Sequence, residues 1–345
     1  MMAMAFVDAV MVGRFSTLEL AYLSIGLILF MPVFLVLLGM VFGTLVMTST
    51  AFGAENYSEC GAVWRRSIPY SVFLGLFGFV IAFFGEELLR FGGQQHDMAK
   101  QGGQVMFYLG LGLPAYLVTV TSQLFLEGIK QPKIAVTMLI IANLFNIVFN
   151  WVFVYGHFGI ASLGAEGSAI ATAIVRWLLA IALVTYIWFM PCNFRYAVRR
   201  APKMEFRLWS EQRRVGYSSA VSIGGESIAF SVIGLFAGWL GEVSLAAYSI
   251  AHNLIAMAFM VSLGVASATV VRVGVARGQG NKEELRMAGW TGLGVNTFFM
   301  IIIGFAFMLF SEFLAKAYTN DPVVSVLAAP LIVLCGIIVI TDGGQ

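Results

Sequence analysis

The sequence predicts an all-α membrane protein, a polytopic helical bundle made of two pseudo-symmetric halves. Three observations carry this expectation. The chain has 345 residues, 60% of them hydrophobic and 11% charged, whereas soluble domains run at about 45–50% apolar and about 25% charged. Its 20 basic and 18 acidic side chains cluster between long apolar runs, and those runs have the roughly 20 residues that a helix needs to cross a bilayer core of about 30 Å. The chain also matches itself when shifted by 225 positions, with no gap. GRFSTLELAYLSIG from Gly13 pairs with GWLGEVSLAAYSIA from Gly238, and the register continues through Gly39 with Gly264, Thr44 with Thr269 and Asn56 with Asn281, giving 15 identities in 44 positions. Six spans separate the two copies, so they share one orientation and are related by an axis along the membrane normal, as in transporters built from parallel repeats.

About ten spans follow in order: 1–13, 20–48, 67–85, 104–127, 134–156, 166–190, 216–239, 245–272, 287–310 and 323–342. The first opens directly on apolar residues with no basic leader, which argues against a cleavable signal peptide. The last ends at Thr341-Asp342-Gly343-Gly344-Gln345 without a polar flank. Both ends therefore read as truncated, and the second copy of the repeat, with four spans against six, reads as incomplete. The expected organisation is an N-terminal lobe over 1–190, a basic loop over 191–215 and a C-terminal lobe over 216–345.

Orientation follows from the connections, since Lys and Arg near a span are retained on the cytoplasmic side. Fifteen of the 20 basic residues, among them Arg65, Lys130, Arg199, Arg214 and Arg286, follow the even-numbered spans. Only Arg14, Arg90, Lys100 and Lys316 follow odd-numbered ones. The N-terminus is expected to be cytoplasmic, in an inner or plasma membrane. The three cysteines, Cys60, Cys192 and Cys335, share no spacing that suggests a disulfide frame or zinc. GLGLP at Gly110–Pro114 lacks the flanking strand and the Lys-Ser/Thr of a phosphate loop. Paired Asp motifs or clustered His and Asp, which an integral-membrane transferase would need, are not seen either.

Polar groups at membrane depth carry the chemistry, because a charge there costs about 2.5–3.5 kcal/mol on insertion scales and needs a reason. Asp8 lies in the first span between AMAFV and AVMVG, Glu226 sits ten residues inside the seventh, and Asp342 ends the tenth. In a low-dielectric setting a carboxylate either takes up a proton or stays ionised by holding a cation. Either behaviour suits ion coupling. The structural alternatives are a neutral carboxyl bonded between helices, or snorkelling for Asp8 and Asp342. The fifth span places Asn143, Asn146 and Asn150 on one helical face. With Thr172 of the sixth span, these amides offer oxygen ligands for a hard cation such as Na⁺, or interhelical hydrogen bonds worth about 0.6 kcal/mol each. Arg176 is the one cation inside a span, and a carboxylate, helix-end carbonyls and substrate are all candidate partners for it.

VDAVMVGRFSTLELAYLSIG, GTLVMTSTAFGAEN, FLEGIKQPKIAVTMLIIANLFNIVFNWVFVYG, LGAEGSAIATAIVRW, GEVSLAAYSIAHN and FMVSLGVASATVVRVGVARGQGN occur in this order along the chain. They resemble the successive motifs of the multidrug and toxic compound extrusion (MATE) transporters. The resemblance implies twelve helices in two six-helix lobes around a central cleft. It also implies antiport, with organic cations or other amphipathic compounds exported in exchange for Na⁺ or H⁺ by alternating access. Asp8 matches the family's first-helix carboxylate, Asn146, Asn150 and Thr172 match positions lining the N-lobe cation pocket, and Glu226 and Asp342 match the C-lobe carboxylates of the NorM-type branch. Asp8 and Glu226 are the expected substrate contacts.

Such a protein is not an enzyme. It needs no cofactor beyond the coupling ion and no metal beyond Na⁺ at those residues, it meets small molecules and membrane lipids, not nucleic acid, and it is expected to be a monomer. The sequence departs from the family pattern at Ile338, where some members carry a tyrosine, and at Asn150, where some carry Asp. Na⁺ and H⁺ are therefore both retained as coupling ions. The alternatives are a lipid-linked precursor flippase of the same superfamily, which would need several basic residues in its cleft where Arg176 stands alone, and a non-functional fragment.

Overall fold

The computed structural model describes residues 2–159, 161–191, 193–200, 209–319 and 321–342, without the side chains of Met2, Ala3, Leu235, Gly238, Glu242, Leu245 and Asp342. Among these residues there are fourteen helices and no strand: α1 (Met2–Phe15), α2 (Thr17–Val41), α3 (Gly43–Gly53), α4 (Tyr57–Phe83), α5 (Gly85–Phe91), α6 (His96–Leu111), α7 (Leu113–Gly128), α8 (Pro132–Phe153), α9 (Gly164–Phe189), α10 (Ser210–Trp239), α11 (Glu242–Gly278), α12 (Lys282–Leu309), α13 (Ser311–Tyr318) and α14 (Pro322–Asp342). Each of the ten expected spans falls on helix. Seven helical stretches are long and apolar enough to cross a membrane, and α6 with α7, bent by 43° at their junction, make an eighth. The expectation of ten was therefore loose. The 14-residue α1 is shorter than a full crossing, and α10 carries Ser222, Gly224, Gly225 and Glu226 through its middle.

The chain divides into two compact units, Met1–Gly224 and Gly225–Gln345. In the first, α4 packs chiefly on α7, α8 on α9 and α2 on α6. Its core holds Trp64, Phe125, Leu126, Leu179 and Leu183. The Trp64 indole donates to Ser122 Oγ at 3.3 Å, which satisfies its one polar atom inside the apolar interface. Small residues let these helices approach closely, as membrane helices do where packing rather than water expulsion drives association. A Cβ on Gly26 of α2 would lie 2.9 Å from the carbonyl oxygen of Gly102 on α6, so two backbones touch there. The start of α10 is tied to the same unit by buried polar groups. Gln212 Nε2 donates to Ser67 Oγ at 2.6 Å and to Thr44 Oγ1 at 3.2 Å, while Arg66 Nε donates to Gln212 Oε1 at 3.2 Å and pairs with Glu59 at 2.9 Å.

In the second unit α11, α12 and α14 pack against one another around Ala247, Leu254, Met300, Phe307, Ala328 and Ile332. Gly304 of α12 and Gly336 of α14 face each other so closely that a Cβ on either would meet the other's carbonyl oxygen, at 2.6 and 2.7 Å. Asn296 Nδ2 donates to Ser262 Oγ at 2.8 Å, linking α12 to α11. Around both units, large apolar side chains such as Phe73, Phe77, Ile140, Leu144, Phe298 and Ile302 stand exposed. That is the arrangement expected where lipid is the solvent and every backbone group is satisfied within a helix.

Candidate functional site

Three helices of the first unit bring polar groups to one point. α1 contributes Asp8, only 7% exposed between apolar turns. α8 contributes Asn146 and Asn150, four residues apart and fully buried, and α9 contributes Thr172, also buried. α8 and α9 pack side by side, with α1 against both. Asn150 Nδ2 donates to Asp8 Oδ1 at 2.7 Å and to the Asn146 carbonyl at 3.0 Å. Thr172 Oγ1 donates to Asp8 Oδ2 at 2.7 Å and accepts from Asn146 Nδ2 at 3.1 Å. Thr172 has two lone pairs and one hydrogen, so it can accept from Asn146 and still bond Asp8, and each Asp8 oxygen takes one hydrogen bond.

These directions leave two oxygens over. Asn146 Oδ1 and Asn150 Oδ1 are buried and have no hydrogen-bond partner within the protein. A buried acceptor without a partner costs about 1–3 kcal/mol, and two beside a carboxylate form the hard oxygen set that suits a cation such as Na⁺. The fit rests on oxygen chemistry, since no cluster of three His, Cys, Asp or Glu occurs among the described residues. Asn143, on the same predicted face, does not join them. Its Nδ2 donates to Leu139 O at 2.8 Å, within its own helix, and its Oδ1 is also buried without a partner, but it makes no hydrogen bond to Asp8 or Thr172.

Beside this cluster lies a cavity of about 50 Å³ lined by Asp8, Ser168, Thr172 and Arg176 together with Leu27, Phe30 and Phe34. It has room for a small ion or water but not for a drug-sized molecule, whose pockets are about 300–1,000 Å³. Sequence reasoning did not place Ser168 at the site, nor Arg176 beside Asp8. The signal was present as Ser168, Thr172 and Arg176 at intervals of four residues, which puts all three on one face of α9. Glu226 and Asp342 belong to the second unit. Glu226 is half-buried midway along α10, and the Asp342 side chain lies outside the described residues.

A family model described as MatE matches residues 1–152 and 219–343. The chain belongs to the MATE family. MATE proteins are transporters, so this chain is a multi-pass membrane protein of a transport family. It is 35% identical over 346 residues to the "Probable multidrug resistance protein NorM" of Caulobacter vibrioides, covering 100% of this chain and 73% of that protein. It is 29% identical over 355 residues to the "Multidrug resistance protein PmpM" of Pseudomonas aeruginosa, covering 99% and 72%. The fold superposes on the eukaryotic MATE transporter AtDTX14 with a TM-score of 0.88 at 20% identity, covering 99% of this chain and 75% of that one. An outward-facing multidrug resistance MATE transporter gives 0.87 at 19%, with the same coverage.

Proposed function

We propose that this MATE-family chain is a secondary active antiporter that exports organic cations, drugs or other amphipathic compounds in exchange for Na⁺ or H⁺ by alternating access. The observation that carries the reading is the Asp8 cluster: a membrane-buried carboxylate with two oriented donors and two unpartnered amide oxygens beside it. The multidrug-resistance names of the relatives supply the substrate class. We assign coupling to Asp8, Asn146, Asn150 and Thr172 in the N-terminal lobe, with Glu226 and Asp342 in the C-terminal lobe. The lobes are taken as 1–190 and 216–345, joined by a cytoplasmic basic loop over 191–215, in a plasma or inner membrane with the N-terminus inside.

In the proposed cycle a lipophilic cation is retained by aromatic contacts and by carboxylate charge at Asp8 and Glu226. The coupling ion then binds Asp8 and removes that charge. Two cationic ligands sharing one carboxylate exclude each other, and their differential affinity for the inward and outward states shifts the equilibrium between them. The cavity beside Asp8 is ion-sized, so in this reading it serves the coupling ion, and the body of the substrate needs a larger site. The test is efflux of a fluorescent cation from cells expressing the chain. Asp8→Asn and Glu226→Gln are each expected to abolish or strongly reduce efflux driven by an imposed Na⁺ or H⁺ gradient. Undiminished coupled efflux in both variants would sink the mechanism.

A further inference from the structure

Arg176 is used by neither the fold nor the cycle above, yet it faces the same cavity as Asp8. Its guanidinium is held in an unusual way. Nη1 donates to Leu109 O at 3.3 Å, the Tyr116 ring lies 5.3 Å away and the Phe34 ring 5.8 Å away. Those partners come from α6, α7 and α2, and the break between α6 and α7 brings the first two together. At that break a Cβ on Gly112 would press on Ala173 Cα and Arg176 Cδ at 3.1 Å, so glycine leaves the space that the arginine stem fills. The arginine forms no ion pair among the described residues. Asp8, for its part, spends one oxygen on Asn150 and the other on Thr172. A guanidinium and a carboxyl group thus line one small cavity with no ion pair between them. Across a low-dielectric space a fixed positive charge acts strongly on such a group without touching it.

We propose that Arg176 is a positioning residue for ion coupling, a resident counter-charge that sets how tightly Asp8 holds its ion. The inference rests on Asp8 being the coupling carboxylate. The rings and the Leu109 carbonyl hold the guanidinium off, so it cannot block the carboxylate as a direct salt bridge would. Its positive charge still opposes a second cation at the Asp8 carboxyl across the cavity they share. It therefore stabilises the state in which neither substrate nor coupling ion is bound, and it weakens the affinity for either. An exchanger needs this balance, because the ion must leave on the side where it is scarce. The other groups facing Asp8 do not supply it. α8 brings the neutral Asn146 and Asn150, α2 brings Leu23, Leu27 and Phe30, and α9 adds Ser168 and Thr172, while among the described residues Tyr116 of α7 lies against the guanidinium and Tyr155 donates to Met11 O on α1.

The experiment is gradient-driven transport of a fluorescent cation by the purified chain in proteoliposomes, with the driving-ion concentration varied and the half-saturating value read. Arg176→Gln is expected to lower that concentration by about tenfold, whichever ion drives transport. Arg176→Lys keeps the charge but loses the planar group that rests on the rings, so its half-saturating concentration is expected to stay closer to the parent's than that of Arg176→Gln. Asp8→Asn in parallel separates the two readings. Retained coupling in Asp8→Asn removes the proposed function itself. Lost coupling there, with an unchanged half-saturating concentration in Arg176→Gln, overturns the counter-charge alone. Selective loss of carboxylate-bearing substrates in both arginine variants, with unchanged ion dependence, also overturns it and makes Arg176 a substrate contact. Should Arg176→Gln fail to reach the membrane, Phe34→Ala releases one side of the guanidinium toward Asp8 and must raise the half-saturating concentration. No change there overturns the proposal.

Discussion

Each oxygen of Asp8 takes one hydrogen bond of 2.7 Å, and Thr172 is the joint of the network because it both donates and accepts. Thr172→Val keeps the shape of the side chain and removes the hydroxyl, leaving Asp8 Oδ2 and Asn146 Nδ2 without their partner. The expected cost is about 1–3 kcal/mol for the stranded polar groups, read as a lowered thermal midpoint in detergent, together with a weakened dependence of efflux on the driving ion. Asn143→Leu is the internal control. Its amide bonds only its own helix, so coupled efflux is expected to match the parent, and a loss equal to that of Thr172→Val would show that residue 143 belongs to the site after all. Much of this cluster was legible in the sequence. Asp8, Asn146, Asn150 and Thr172 stand out because polar residues at membrane depth are rare and helical spacing places the two asparagines on one face. Two things were not legible. Asn143 shares the spacing, and it differs only in making no hydrogen bond to Asp8 or Thr172. Arg176 depends on partners from three distant segments that no local pattern brings together.

The elements were legible where apolar length alone fixes them and illegible where a break decides. The internal repeat aligns α2 and α3, which form one span over Thr17–Gly53 with a local irregularity at Phe42, with the unbroken 37-residue α11. The chain supplies a reason. Gly43, next to the irregularity, corresponds to Ala268 in the second copy, and glycine costs about 1 kcal/mol of helix propensity against alanine. The break between α6 and α7 has the same origin, with Gly112 at the junction and Pro114 in the first turn of α7. Small residues also set how closely elements approach. Gly304 lies against the backbone of Gly336, a contact that cannot yield by a side-chain rotation. Gly304→Leu must push α12 from α14, with an expected loss of about 1–3 kcal/mol from overpacking. Thermal unfolding of the purified protein in detergent checks this, and Gly289→Leu on α12, where a Cβ meets open space, is expected to unfold within a degree or two of the parent. A midpoint for Gly304→Leu equal to that control would contradict the close crossing.

At the scale of the whole molecule, charge distribution rather than packing carries the prediction. An apolar perimeter places the chain in a bilayer but is blind to which end faces in. The asymmetry of Lys and Arg across the connections is what distinguishes the two sides. By that rule the turn between α5 and α6 is outside, and the basic stretch after α9 is inside. Gln94 in the first and Arg199 in the second are both exposed, so each can report its side through a single introduced cysteine. Cys60 and Cys335 are buried in helices, the first fully enclosed, and Cys192, which lies outside the described residues, is replaced by serine in the background chain. A membrane-impermeant maleimide is expected to label Gln94→Cys in intact cells and Arg199→Cys only after the membrane is opened. The reverse pattern would overturn the orientation but not the antiport itself, because in an alternating-access exchanger the ion gradient, not the direction of insertion, sets which way the substrate moves.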